Sequence, residues 1–294
     1  MRELDYFIVD VFTERPMEGN PLAVVMDSVG LAPEKMQAIA REFNLSETTF
    51  VQRRASEIER AEGIRVRIFT TQEELPFAGH PTLGTASVLR SNAPETIQNH
   101  ELTLALQVGP IKVRFESGAG FAEMTQRDPE FGQELDPGGV APLLGVAPRD
   151  LHPDFTPQVV STESGFAIVV LRDLDSLGRL RVKHEEATPW LRDRGGRWFY
   201  VLAPTAEQEP AYRARMQFDG GEDPATGSAA GCAISYLVAR AAVASDRRIM
   251  VRQGVEIGRT STLFLRAKID SARVFDVRVG GSTVPVAKGR LFLE

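Results

Sequence analysis

The chain is short of cysteine: of its 294 residues only Cys232 carries a thiol. An intrachain disulfide is therefore impossible, and a cysteine-built metal site is not expected. Net positive charge is missing too. The 34 lysines and arginines face 40 acidic residues, a formal balance of −6, which argues against a broad nucleic-acid surface. No apolar run approaches the ~20 residues that span a bilayer. The opening MRELDYFIVDVF lacks a signal-peptide layout, because Glu3, Asp5 and Asp10 interrupt it. His80, His100, His152 and His184 are scattered without an i, i+4 pair, so no histidine metal cluster is expected. GEDPATGS lacks the lysine of a phosphate loop, and no G-x-G-x-x-G follows a strand pattern. Gly-Ser-Ala-Ala-Gly at 227–231 is not a nucleophile elbow. These absences predict a cytoplasmic protein with no metal, nucleic-acid or membrane partner.

A hydrophobic content of 43% with 25% charged residues is that of a soluble globular protein, and the length suits two domains. Alternating apolar residues predict strands at Ile64–Ile68, ELTLALQV, IKVRFE, AYRARMQF, RRIMVRQ, TLFLRAKI and RVFDVRV. An apolar strand edge such as Leu102–Val108 would have to be covered or paired. PEKMQAIAREF predicts a helix, with Pro33 at its start and Met36, Ile39, Ala40 and Phe43 on one face. PTLGTASVLR and PATGSAAGCAISYLVARAAV each open on Pro and run into small and apolar residues, so each predicts a buried helix. A glycine-rich turn near Gly118–Gly120 marks a boundary, giving domains 1–118 and 119–294, with the last strand free to return to the first domain. Gly138-Gly139, Pro142, Pro148, Pro153 and Pro157 read as loops.

One turn is written twice, about half the chain length apart. His80-Pro81-Thr82-Leu83-Gly84-Thr85-Ala86 aligns with Asp223-Pro224-Ala225-Thr226-Gly227-Ser228-Ala229. Pro suits the first turn of a helix, which places His80 and Asp223 at or beside two N-caps. Asp-Pro is also a common cap, but capping does not require a glycine and a hydroxyl at matched offsets in both halves. A helix N-terminus offers backbone N–H groups and about half a positive charge, suited to a carboxylate or oxyanion. If the two halves face each other, both N-termini open on one cleft. In FNLSETTFV, Glu47 follows a helix end and precedes an apolar run. Partial desolvation there would raise its pKa towards the proton-transfer range, although local sequence alone favours a solvated strand-start glutamate.

DVFTERPMEGNPLAVV, NLSETTFV, RIFTTQEELPFAGHPTLGTA, GEDPATGSAAG and QGVEIGR occur in that order between Asp10 and Arg259. Together they resemble the PhzF-like (phenazine biosynthesis F-type) isomerases, of the diaminopimelate epimerase-like superfamily. The resemblance implies an α+β fold of two pseudo-equivalent domains, each a curled mixed sheet around a central helix. It also implies a homodimer and cofactor-independent proton transfer on a small carboxylic acid. In the best-known member that acid is a dihydro-hydroxyanthranilate. The family's proton-shuttling carboxylate matches Glu47. Gly79 and His80 match its first turn, and Asp223, Gly227 and Ser228 its second. Racemases of the same fold use two cysteines, one matching Ala78 and the other falling near Pro224, where this chain has no thiol. Cys232, in the apolar helix, is expected to be inert.

The expectation is an isomerase in which Glu47 moves a proton between carbons. His80 and Asp223 would hold polar groups of the substrate or assist the transfer, and Gly79, Gly227 and Ser228 would bind a carboxylate or enolate. Two alternatives stand beside it: an epimerase or racemase of a small amino or hydroxy acid, and a non-catalytic binder of small acids.

Overall fold

Strands form where apolar residues alternate, because successive side chains of a strand point to opposite faces. Ile64, Val66 and Ile68 are buried while Arg65 is exposed. The computed structural model describes residues 1–116, 120–207, 209 and 211–294. Its contacts divide the chain into two compact units, Met1–Thr125 with Gly280–Glu294, and Gln126–Val279. The boundary expected near Gly118 touches positions outside the described residues.

The first unit holds β1 (Arg2–Val11), β2 (Asn20–Val25), α1 (Pro33–Phe43), β3 (Glu47–Gln52), α2 (Ser56–Glu62) and β4 (Ile64–Phe69). It continues through β5 (Glu74–Leu75), α3 (Gly79–Asn92), β6 (Glu101–Leu106), β7 (Gly109–Phe115) and β8 (Phe121–Thr125). The strand order is β1-β2-β3-β4-β6-β7-β8, with β5 beside β4. The last strand of the chain, Arg273–Leu293, lies next to β8 and pairs with β1 from Arg2↔Leu293 to Val11↔Thr283. The sheet of this unit thereby closes on itself, a mixed and barrel-like arrangement. Because β6 pairs with both β4 and β7, Leu102–Leu106 is not an edge. The pairing expected of this apolar strand is thus present on both of its sides.

Helix α3 packs against β1, β2, β3, β6, β7 and β8. Its close approach depends on Gly84: a Cβ there would come within 2.6 Å of Leu22 Cδ2 and 2.8 Å of Val11 Cγ2. That glycine serves helix–sheet packing rather than access for a ligand. Helix α1 begins on Pro33 as expected and buries Met36, Ile39 and Ala40 against Leu4, Val25, Phe50 and Phe69.

The second unit holds β9 (Glu130–Glu134), α4 (Pro137–Leu143), β10 (Gln158–Ser161), β11 (Gly165–Val170), α5 (Leu174–Gly178) and α6 (His184–Arg192). Then come β12 (Trp198–Pro204), β13 (Tyr212–Arg215), β14 (Gln217–Phe218), β15 (Gly221–Glu222), α7 (Gly227–Ala239), β16 (Ile249–Gln253), β17 (Ser261–Asp270) and the first part, residues 273–279, of β18 (Arg273–Leu293). The order is β18-β17-β16-β13-β12-β11-β10-β9. From β10 onward the pairings β10–β11, β11–β12, β12–β13, β13–β16 and β16–β17 run antiparallel, parallel, antiparallel, parallel, antiparallel. The pairings β1–β2, β2–β3, β3–β4, β4–β6 and β6–β7 run in the same series. Helix α3 lies between β4 and β6 in the chain, and α7 between β13 and β16.

Two local expectations change. Gly138, Gly139 and Pro142 lie inside α4, not in a loop. Asp136 caps that helix by accepting a hydrogen bond from the Gly139 N–H at 2.9 Å, and Pro137 occupies the first turn, where its missing N–H costs nothing. AYRARMQF divides at Met216 into β13 and β14, and β14 forms a small hairpin with β15. Among the described residues, no helix is long and apolar enough to cross a membrane.

Candidate active site

Three elements of the first unit converge on one pair, a buried histidine and a partly buried glutamate. Helix α1 stops at Asn44, which takes a left-handed conformation and donates its N–H to the Ala40 carbonyl. That reversal delivers Glu47 to the first position of β3, paired across the sheet with Leu22 of β2. Helix α3 is held to the same strand, since the Thr85 and Thr49 hydroxyls share a buried hydrogen bond of 2.8 Å. Thr49 and Glu47 lie two apart and face the same side of β3.

This arrangement brings His80 Nε2 to 3.3 Å from Glu47 Oε2, with side-chain exposures of 5% and 16%. The His80 ring also donates to the Pro21 carbonyl in β2. Nε2 makes no hydrogen bond that meets ordinary geometry, so the nitrogen facing Pro21 is Nδ1. Burial pushes the His80 imidazole down to about 3, more than offsetting the Pro21 bond. His80 is neutral at physiological pH, and its contact with Glu47 is not an ion pair. His80 therefore does not clamp the Glu47 carboxylate in its charged form.

In the second unit, Asp223 precedes α7 in a turn tied down on several sides. The Thr226 hydroxyl donates to Asp223 Oδ2 at 2.7 Å. Glu222, one residue earlier, forms a buried two-pronged pair with Arg215, at 2.9 and 2.6 Å. Arg215 Nη1 donates to the Leu177 and Gly178 carbonyls. Downstream, the Gly227 carbonyl accepts from Gln126 Nε2 at 2.8 Å. Ser228 is partly exposed, whereas Gly227 and Ala229 are buried.

The helix starts differ from the expected ones. Helix α3 opens at Gly79 with Ala78 as N-cap, so His80 is inside the first turn. Helix α7 opens at Gly227 with Thr226 as N-cap, which leaves Asp223 in the loop before it. The local structures match as Ala78-Gly79-His80 with Thr226-Gly227-Ser228, not as His80 with Asp223. Pro224 cannot open α7 at the expected place because Asp223 and Thr226 are closed into a side-chain turn ahead of it. The residue before the helix-opening glycine is thus Ala78 in one unit and Thr226, not Pro224, in the other. Neither is a thiol. Cys232 is fully buried, and burial pushes its thiol up to about 12.

Pro21, Thr226 and Gln253 were not singled out from sequence. Gln253 opens the QGVEIGR stretch, but a glutamine at a strand end carries no local sign of its partners. Among the described residues, no group of three or more His, Cys, Asp and Glu side chains is placed to hold a metal ion.

Comparison with known proteins places the chain in a family. The chain is 36% identical to an uncharacterised isomerase of Mesorhizobium japonicum over the full length of both. It is 33% identical to the trans-2,3-dihydro-3-hydroxyanthranilate isomerase of Pseudomonas fluorescens, covering 98% of this chain and 99% of that one. The crystal structure of a PhzF-family phenazine biosynthesis protein from Bacillus anthracis superposes with a TM-score of 0.87 at 25% identity, covering all of both chains. The class is that of the isomerases. The chain belongs to the PhzC-PhzF family of phenazine biosynthesis-like proteins, whose profile it matches over residues 9–289.

Proposed function

We propose that the protein is a cofactor-independent isomerase in which Glu47 carries a proton between two carbons of a small carboxylic acid. The observation that carries this reading is the buried contact of Glu47 with a neutral His80 at the head of α3. A carboxylate beside an uncharged imidazole can take up a proton and release it, which one locked to a cation does poorly. The base Glu47 removes a proton from an activated C–H, the electrons shift through the conjugated system, and the same carboxyl returns the proton to another carbon. His80 and Asp223 hold polar groups of the substrate. The N–H groups of Gly79 and Gly227, which helix geometry leaves without an intrahelical acceptor, hold a carboxylate or enolate together with the Ser228 hydroxyl.

The substrate class is that of trans-2,3-dihydro-3-hydroxyanthranilate, the acid named for the Pseudomonas relatives. The fold is read as a duplication with α3 and α7 as the two equivalent helices. The matched series of pairing directions supports this, as does the matched glycine at the first position of both helices. The functional form is a homodimer acting in the cytoplasm. The absence of a thiol at Ala78 and Thr226 weighs against two-cysteine racemisation.

The test is incubation with trans-2,3-dihydro-3-hydroxyanthranilate in deuterium oxide, followed by NMR and mass spectrometry. A rearranged product with deuterium at the newly protonated carbon is expected wherever Glu47 exchanges with solvent. Recovery of unchanged, undeuterated acid, with exchange instead at the α-carbon of an amino acid, would replace this reading with epimerisation.

A further inference from the structure

The QGVEIGR stretch has no part in the chemistry described above, yet the side chain of its first residue makes four hydrogen bonds in and around the Asp223–Thr226 turn. Gln253 ends β16 and is completely buried. Its Nε2 donates to the Asp223 carbonyl at 2.9 Å and to Thr226 Oγ1 at 2.9 Å. Its Oε1 accepts from the Thr226 N–H at 3.1 Å and from the Tyr200 hydroxyl at 3.1 Å. Both donors and both lone pairs of the amide are used. The amide cannot be reversed, because Asp223 O only accepts and Thr226 N–H only donates.

We infer that Gln253 is a positioning residue that sets the direction of the Asp223 carboxylate and of the first N–H groups of α7. The proposal rests on the role assigned to Asp223 above. Thr226 Oγ1 accepts from Gln253, so its own proton is committed to Asp223 Oδ2. Tyr200 is held as a donor, since burial and the nearby Asp223 charge push its phenol well above the usual range. The result is a single-sense path, Tyr200 to Gln253 and Gln253 through Thr226 to Asp223, in a setting where hydrogen bonds polarise one another. The following residue secures the strand end. Gly254 has φ of +75°, and a Cβ there would press on the Pro224 carbonyl at 2.7 Å. The loop after Gln253 thus closes against the Asp223–Pro224 segment.

The test compares Gln253→Met, Gln253→Glu and Thr226→Val with the unsubstituted protein, using trans-2,3-dihydro-3-hydroxyanthranilate as substrate. Gln253→Glu keeps the shape and the acceptor but loses both donors, and Thr226→Val removes only the hydroxyl relay. Each is expected to lower kcat by roughly 10- to 100-fold with KM changed less than about threefold, the pattern of a misaligned rather than an absent contact. The amide signal of Gly227 should shift in all three variants, and that of Thr226 in both Gln253 variants, while those of Glu47 and His80 stay. Wild-type kcat in a folded Gln253→Glu or Thr226→Val protein overturns the proposal. If Gln253→Met does not fold, the other two decide. If the unsubstituted protein does not turn over this acid, the isomerase reading fails by itself. The amide signals then still decide whether Gln253 holds the turn, and unchanged signals in Gln253→Glu would refute that.

Discussion

Glu47 Oε2 and His80 Nε2 face each other across 3.3 Å with one imidazole kept neutral by burial. Their backbones come from opposite kinds of element, a strand start and a helix start, and the buried Thr49–Thr85 hydrogen bond fixes the distance between the two. That bond ties the two elements carrying the pair to each other without any substrate.

Replacing Glu47 by Gln preserves that shape and removes the basic oxygen pair. Solvent-deuterium incorporation should fall by at least about 10²–10⁴-fold, the usual contribution of a positioned general base. Affinity for a small carboxylic acid, measured by calorimetry, should stay within a few-fold. Retained exchange in Glu47→Gln would remove this residue from the mechanism.

His80 also makes stability depend on pH. An unfolded chain protonates His80 below about 6.5, its ordinary value, whereas the folded chain resists until about 3. In that window the unfolded state binds more protons, so stability falls as pH falls, by up to about 1.4 kcal/mol per pH unit. Above about 6.5 the residue contributes no slope. Urea unfolding of the protein and of His80→Gln at several pH values isolates this effect as the difference between the two slopes. Equal slopes would mean that the imidazole is not held neutral.

Gly84→Ala tests the close approach of α3 to the sheet. The added methyl would meet Leu22 and Val11 at 2.6 and 2.8 Å. A loss of about 1–3 kcal/mol is expected from overpacking. Combining it with Leu22→Ala should cost less than the sum of the two single changes, because the second opens the space the first requires. Strict additivity would show that α3 shifts instead.

Cys232 should be silent chemically. Its buried thiol, pushed up to about 12, is almost wholly protonated at pH 8. A chromogenic disulfide reagent should label one thiol promptly in denaturant and none on that timescale in the folded protein. Rapid labelling of the native form would restore thiol chemistry as a candidate.

Much of this architecture could be read before folding. The alternation of Ile64, Val66 and Ile68 and the helical spacing of Met36, Ile39 and Ala40 are local signals, and both elements formed where they pointed. Glu47 was legible only through the resemblance, because its setting depends on His80, which is far along the chain. The recurrence of Pro and Gly in the two turns was real, but the expected register was not. What aligns α3 with α7 is the glycine at their first position, and the Asp223–Thr226 side-chain turn delays the start of α7. Gln253 was invisible because all its partners are brought to it by tertiary structure. Gly138-Gly139 and Pro142 suggest a loop in the sequence, yet α4 forms there because Pro137 suits a first turn and the Gly139 N–H donates to the Asp136 cap.

The last strand carries an implication for synthesis. Residues 280–294 complete the unit that begins the chain, pairing Leu293 with Arg2 and Thr283 with Val11. On a ribosome the residues of β1 emerge before their neighbour and lack it until residues 280–294 have been made. The segment 126–279 carries its own core and is whole earlier. The order of maturation is thus the reverse of the order of emergence, and β1 must wait with one edge bare for residues 280–294 to arrive.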